Sequence, residues 1–270
     1  MNLGLALSGG GARGIAHLGV LQALEELDMK PDMLSGVSSG AIFGTFYAAG
    51  FSPTEILKML QEVNVLGLMR PAFSRFGLMN MREVEKLYLR LLGDMTFEDL
   101  KLPLVISTVD LNKAEVVRFS TGPLIKPLVA STTLPVLYHP VQYEERMLID
   151  GGMLNNLPVE CLLNPCLTTI GVHTNPINRE QPVTNIRSVI ERTFQIIVGN
   201  NVKHSCQYCS LLLEPPLLSQ YNLFAFTKAD EIFKIGYDFT MANARNLLDL
   251  KETWKQASGA VFLNDSESKK

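Results

Sequence analysis

The chain has 270 residues, 47% of them apolar and 19% charged, and its 24 Lys and Arg against 27 Asp and Glu leave a formal net charge of −3. That length and apolar share support a sizeable buried core and exclude a disordered chain. No basic excess is present to neutralise phosphates, so nucleic acid is not an expected partner.

Leu3 to Leu7 is a short apolar run that ends in Ser8 and three glycines, and it predicts a buried strand. The first basic residue is Arg13, so the N-terminus does not read as a signal peptide. From Gly14, leucines at 18, 21, 24 and 27 predict a helix that stops near Lys30-Pro31. Met33 to Val37 predicts a second buried strand, followed by a helix from Ser38 or Ser39 that ends at Gly50. The uncharged stretch from Met33 to Thr54 carries four glycines and Pro53, which suits strand, turn and helix better than a membrane span. A cytoplasmic protein is expected, with peripheral membrane contact left open.

Pro53 to Leu60 predicts a short helix. Val63 to Met79 is apolar but irregular, and it reads as a surface excursion or lid over a site. Met81 to Leu92 predicts an amphipathic helix, Leu104 to Val109 and Glu115 to Phe119 strands joined at Asn112-Lys113, and Leu124 to Ser131 a helix. Met147 to Ile149 predicts a short strand running into Asp150-Gly151-Gly152. Strands are expected at Thr168 to Val172 and Leu211 to Leu213, a helix at Val183 to Asn201, and one long closing helix at Ala229 to Trp254. One domain over residues 1–263 is expected, with a polar tail at 264–270. The fold class is α/β, beginning as strand-helix-strand-helix with helices on the faces of a sheet.

Gly9-Gly10-Gly11-Ala12-Arg13-Gly14 lies between a strand and a helix, where a glycine turn can aim backbone N–H groups at an anion. A P-loop would need Lys then Ser or Thr after the last glycine, and Ile15-Ala16 stand there. A dinucleotide fold would need an acid at the end of the second strand, where Gly36-Val37-Ser38 stand instead. Gly36-Val37-Ser38-Ser39-Gly40 is G-x-S-x-G at a strand-to-helix turn, the form of a nucleophile elbow. Neighbouring βα turns open at the same sheet edge, so the Gly10 and Gly11 N–H groups are expected to face Ser38 as an oxyanion hole. A plain helix N-cap is the alternative role for Ser38.

The histidines are His17, His139, His173 and His204. His173 is the best placed for a triad, but only two strands precede Ser38, which argues against the α/β-hydrolase order. Asp150, freed of bulky neighbours by Gly151 and Gly152, is the better base, and burial would raise its pKa. A plain Asp-Gly-Gly turn is its alternative. Arg13 reads as structural or ion-paired rather than as a head-group contact. With no export signal, Cys161, Cys166, Cys206 and Cys209 read as reduced thiols; their C-x4-C and C-x2-C spacing is the alternative of a zinc site, which the absence of zinc-ribbon turn chemistry around the pairs disfavours.

The glycine loop, G-x-S-x-G and D-G-G, in this order, resemble the patatin-like phospholipases of the single-domain bacterial type. Ala130-Ser131-Thr132-Thr133-Leu134-Pro135 through Pro140-Val141 resembles the family's segment before the aspartate, and Phe233 to Tyr237 the start of its closing helix. The resemblance implies a three-layer α/β/α sandwich with a mostly parallel sheet. It implies a Ser38–Asp150 dyad, residues 9–14 as oxyanion loop, and no metal or cofactor. The implied reaction is hydrolysis of lipid acyl esters. An acyltransferase, or a non-catalytic lipid-binding or regulatory protein on the same fold, are the alternatives. Asn155 and Asn156 are open to bracing the aspartate or to a purely structural role. Val65 to Met79 and Leu211 to Phe226 are open to lining an acyl channel, touching a membrane or filling core.

Overall fold

A computed structural model describes the chain except residues 64–66, 68–70, 75, 76, 80, 179–181 and 268–270, and describes backbone alone at 71–74, 77, 78, 187 and 257–267. The strands are β1 (Leu3–Leu7), β2 (Met33–Gly36), β3 (Pro71–Ser74), β4 (Gly77–Met79), β5 (Leu104–Asp110), β6 (Glu115–Phe119), β7 (Val141–Tyr143), β8 (Arg146–Asp150), β9 (Thr168–Val172) and β10 (Leu211–Leu213). The helices are α1 (Ala16–Glu26), α2 (Ser39–Ala49), α3 (Pro53–Glu62), α4 (Arg82–Leu92), α5 (Ile125–Ser131), α6 (Ile186–Ser205), α7 (Ala229–Ala242) and α8 (Ala244–Glu267).

The main sheet runs β10-β9-β1-β2-β5-β8-β7, with β6 also on β5. Its β10, β9, β1, β2 and β5 members pair in parallel, and β6, β7 and β8 are antiparallel additions. Side-chain alternation along β1 makes two cores. Leu3, Leu5 and Leu7 join the larger cluster with α1, α2, α4 and α5 residues, while Ala6 joins Leu157, Val159, Leu162, Phe194, Val198 and Val202. The expected α/β/α sandwich around a mostly parallel sheet is therefore what the chain adopts. Glycines bring α1 and α7 into backbone contact: a Cβ on Gly19 would strike the Phe233 carbonyl, and one on Gly236 the Ala16 carbonyl.

Pairing on β5 decides where the site forms. β2 pairs with 104–106, β8 with 108–110, and β6 with 106–110. Because β6 overlaps both, it takes one edge of β5, and β2 and β8 share the other. β2 runs parallel to β5 and β8 antiparallel, so the C-terminal ends of β2 and β8 meet head-on beside Ser107. Ser38 follows the end of β2 by two residues, and Asp150 is the last residue of β8.

Several elements differ from the sequence expectation. The closing helix is two helices, broken at Asn243, whose side-chain Nδ2 donates to the Phe239 carbonyl at 2.8 Å. The second of them continues through Glu267, so residues 264–267 extend a helix rather than begin a tail. β7 was not foreseen; its pairing with β8 turns at Glu144, at φ 54°. The excursion expected over 63–79 lies partly outside the described residues. The rest of it includes the antiparallel β3–β4 pair, fastened by Met79 N–H to Leu137 at 2.9 Å and His139 N–H to Met79 at 3.0 Å. Among the described residues no helix is long and apolar enough to cross a membrane.

Candidate functional site

Ser38 sits between β2 and α2 at φ 54° and ψ −127°, a left-handed backbone that costs a non-glycine residue about 1–3 kcal/mol. The surroundings hold it there. Ser38 N–H donates to Ser131 Oγ at 2.9 Å, and Ser131 in turn donates to the Ser107 carbonyl at 2.8 Å. Val37 N–H donates to the Leu7 carbonyl at 3.2 Å. Gly40 lets α2 start against the end of β1, because a Cβ there would strike the Leu7 and Ser8 carbonyls. Gly36 lies close under the Gly40 carbonyl, and Ser39 is buried in the cavity wall with no hydrogen-bond partner among the described residues.

Asp150 is fully buried at the end of β8. Its N–H donates to the Thr133 carbonyl at 2.9 Å, and its Oδ1 accepts Gly152 N–H at 2.8 Å. Oδ2 has no hydrogen-bond partner among the described residues. Burial pushes the carboxyl up to about 7, against the opposing pull of the Gly152 N–H and the Ser38 hydroxyl. The Ser38 hydroxyl is thus near enough to favour the Asp150 charge, although the pair falls short of full hydrogen-bond geometry. Gly151 fits between Val37 and the Ser107 carbonyl, where a Cβ would collide with both.

The glycine loop lies beside this pair, and a Cβ on Gly9 would come within 2.9 Å of the Ser38 Cβ. The Gly9 carbonyl is held from behind by Asn156 Nδ2 at 3.3 Å, Thr174 Oγ1 at 3.4 Å and a close contact from Asn175 Nδ2. In a trans peptide the next N–H points opposite to that carbonyl, so these three side chains aim Gly10 N–H away from themselves. Neither Gly10 nor Gly11 N–H has an acceptor among the described residues, and Gly11, at φ 55°, lines the cavity. The rest of the loop is committed elsewhere. Ala12 N–H donates to the Leu223 carbonyl at 2.8 Å and Arg13 N–H to the Gly10 carbonyl at 3.1 Å, while Gly14 packs on the Ser39 side chain. The loop N–H groups without an acceptor among the described residues are thus those of Gly9, Gly10 and Gly11.

Arg13 is completely buried and structural. Its Nε donates to the Tyr221 carbonyl at 2.6 Å and its guanidinium pairs with Glu191 at 3.2 Å. Burial lowers its pKa and Glu191 opposes that shift. Among the described residues, neither Asn155 nor Asn156 hydrogen-bonds to the Asp150 carboxylate. Asn155 donates to Glu160 at 2.8 Å, and Asn156 braces Gly9. His173 and His17 are turned to other partners: His173 Nδ1 meets Glu214 at 2.7 Å, and His17 Nε2 meets the Ser8 carbonyl at 2.8 Å. Burial lowers His17 to about 4, so it is neutral at pH 7 and its Nε2–H donates. The hydrogen bond from His173 holds Glu214 below the ordinary carboxylate range.

From Ser38 a cavity of about 200 Å³ runs between α2, α3 and α4. Ile42, Phe46, Ile56, Leu60, Leu87 and Leu91 line it, and the Phe46–Tyr88 edge contact, with centroids 6.4 Å apart, adds to its wall. Leu223, Phe224 and Phe226 also line it, which places part of the 211–226 stretch at the cavity. Of the 65–79 stretch none of the described residues is among its lining. Among the described residues no group of three or more His, Cys, Asp or Glu could hold a metal ion, and the four cysteines are free thiols. Ser131, Asn175, Thr174 and Asn201, whose Nδ2 donates to the Gly152 carbonyl at 2.9 Å, were not singled out from sequence as site residues.

An uncharacterized NTE family protein of Mycobacterium tuberculosis is 34% identical over 157 residues, covering 57% of this chain and 44% of its own length. Lysophospholipase nte1 of Aspergillus fumigatus is 26% identical over 272 residues, covering 88% of this chain and 18% of its own length. The chain thus spans less than half the length of these relatives. The crystal structure of VipD from Legionella pneumophila superposes with a TM-score of 0.60 at 15% identity, covering 91% of this chain and 66% of that one, a likeness of fold. The patatin-like phospholipase profile matches residues 5–163, from β1 through the elbow to the turn after Asp150. The chain belongs to the patatin-like phospholipase family.

Proposed function

We propose that this chain is a serine hydrolase of lipid acyl esters, of the phospholipid or lysophospholipid class, with Ser38 as nucleophile and Asp150 as base. The observation that carries this reading is the meeting of a strained serine elbow and a buried carboxylate at one end of an apolar cavity. A carboxyl raised to about 7 is a far better proton acceptor at neutral pH than an ordinary aspartate. The apolar lining suits an acyl chain, and the related A. fumigatus protein is named a lysophospholipase.

Ser38 Oγ attacks the ester carbonyl carbon while its proton passes to Asp150. The carbonyl oxygen gains the negative charge and meets the Gly10 and Gly11 N–H groups, a contribution of about 3 kcal/mol to the barrier when one such donor is judged by its removal. As the tetrahedral intermediate collapses, the C–O bond to the alcohol breaks and Asp150 returns the proton to the leaving oxygen. Water, deprotonated by the same carboxylate, attacks the acyl-Ser38 ester, the fatty acid departs and Ser38 regains its proton.

The test uses a p-nitrophenyl acyl ester and lysophospholipid with Ser38→Ala, Asp150→Asn and His173→Gln. Loss of at least about a thousandfold in the first two, with His173→Gln within about threefold of wild type, is the expected result. Activity retained in Asp150→Asn and lost in His173→Gln would overturn the dyad. Labelling of Ser38 by a fluorophosphonate without turnover of any acyl ester would favour a lipid-binding role instead.

A further inference from the structure

Seven large aliphatic side chains between residues 177 and 197 are exposed: Ile177, Val183, Ile186, Val189, Ile190, Ile196 and Ile197. Five of them lie on α6, where Ile186 and Ile196 are 74% and 54% exposed. At about 100° per residue, positions 186, 189, 190, 193, 196, 197 and 200 fall within an arc about 120° wide. Thr193, Asn200 and, in the last turn, His204 complete that arc, which therefore contains no Asp, Glu, Lys or Arg. A contiguous aliphatic stripe of this kind on an outer helix marks a surface made to be covered. The opposite side of α6 is ordinary core, with Phe194, Val198 and Val202 packed in the second cluster. Phe194 also forms part of the cavity wall, so one helix carries both the stripe and the cavity lining.

Charge indicates what covers it. The basic residues of α6 are Arg187, Arg192 and Lys203. Its one acid, Glu191, is buried and paired with Arg13. The net charge that the helix offers is therefore basic. A second copy laid against this face would bring like charges together, whereas an anionic bilayer meets them with opposite charge.

We propose that α6 is a membrane-docking helix that lays Ile186, Val189, Ile190, Ile196 and Ile197 into the interface of a bilayer carrying anionic phospholipid. Lys203 lies along one flank of the stripe, at headgroup level, and Arg192, whose guanidinium donates to the Asn178 carbonyl at 2.8 Å, lies on the same side. Docking brings the Phe194 side of the cavity toward the phase in which a lipid ester resides. It is joined to the lipid-ester reading in that respect only, and its test needs no turnover.

The experiment is flotation of the full chain with vesicles of phosphatidylcholine alone and of phosphatidylcholine mixed with phosphatidylserine. Wild type is expected to float with the mixed vesicles and less with the neutral ones. The double variant Ile190→Glu, Ile197→Glu should lose at least about tenfold in bound fraction, and Lys203→Glu should weaken binding as added salt does. Both should keep the wild-type melting temperature and the hydrolysis of a soluble short-chain ester. Wild type that fails to float with mixed vesicles, or a double variant that floats as well, would overturn the proposal. A dimer in sedimentation that Ile197→Glu converts to monomer would assign the stripe to a second copy instead. Ser38→Ala should float like wild type, so failure of the catalytic reading leaves this result standing.

Discussion

Ser131 holds Ser38 through the main chain: its Oγ accepts the Ser38 N–H at 2.9 Å while its own proton goes to the Ser107 carbonyl. One hydroxyl at the end of α5 thus fixes the elbow to the central strand. Ser131→Ala leaves a buried N–H and a buried carbonyl without this partner, a cost of roughly 1–3 kcal/mol. The expected outcome is a lower urea midpoint together with a kcat for a p-nitrophenyl ester reduced at least about tenfold. A variant equal to wild type in both would remove Ser131 from the elbow's support.

The buried carboxyl sets a pH dependence with a definite sign. Asp150 titrates at about 7 in the folded chain, and an unfolded aspartate at about 3.9. Between those values the folded protein holds a proton that the unfolded chain has released, so this group's contribution to stability falls as pH rises across that window. Catalysis needs the ionised form, so kcat/KM should climb through pH 7 and level above it. Asp150→Asn should abolish that limb and raise stability at pH 8 by roughly 2–4 kcal/mol, with the gain vanishing below pH 4. Melting curves at the two pH values read the stability effect, and an Asp150→Asn protein less stable than wild type at pH 8 would contradict it.

Asn175 supports the loop from the strand side, donating to the Gly9 carbonyl and accepting from Arg13 at 3.5 Å. It touches no reacting atom in the proposed mechanism, so its effect should be on the aim of Gly10 N–H. Asn175→Ala is expected to lower kcat about tenfold to a hundredfold with KM within about twofold, and to slow fluorophosphonate labelling of Ser38 in step. A KM effect alone, or a fall in melting temperature without a kinetic change, would place Asn175 outside oxyanion positioning.

Ile42 stands one turn into α2 from Ser38 and lines the cavity. Ile42→Trp narrows the space between α2 and α3 without touching the elbow. Hydrolysis of a palmitoyl ester should fall at least about tenfold while a butyryl ester stays within about threefold. Equal loss on both esters would mean that the acyl chain does not enter between these helices.

What was legible from the residues was local. The elbow is a five-residue motif whose glycines answer to close backbone approach, and the loop and the Asp-Gly-Gly turn are equally short-range, so all three were visible without a structure. The buried strands of the parallel half were visible for the same reason, as apolar runs ended by glycine turns. β7 escaped because a three-residue strand with half-exposed side chains carries no periodic signal. The break in the closing helix escaped because Asn243 interrupts no apolar pattern. Ser131, Thr174 and Asn175 act through hydrogen bonds to distant backbone, and a serine or asparagine bound in that way looks in sequence like any loop or helix-end residue. Arg13 was readable only as a choice, settled by Glu191 and Tyr221, both far along the chain.

The head-on meeting of β2 and β8 beside Ser107 gives the proposed reacting pair a gauge made of main chain. Apart from β5 itself and the Ser131–Thr133 stretch that braces both partners, the chain between the elbow and the aspartate, including the α3–β4 excursion and the β6 and β7 turns, lies outside that gauge. Such segments are free to lengthen, shorten or change character while Ser38 and Asp150 keep their spacing. A single residue gained or lost in β5 between 106 and 108 has the opposite effect. It would move one partner by about 3.3 Å and present the other face of the strand. The fold thus concentrates its intolerance to insertion in three residues of a strand that supplies no side chain to the proposed chemistry.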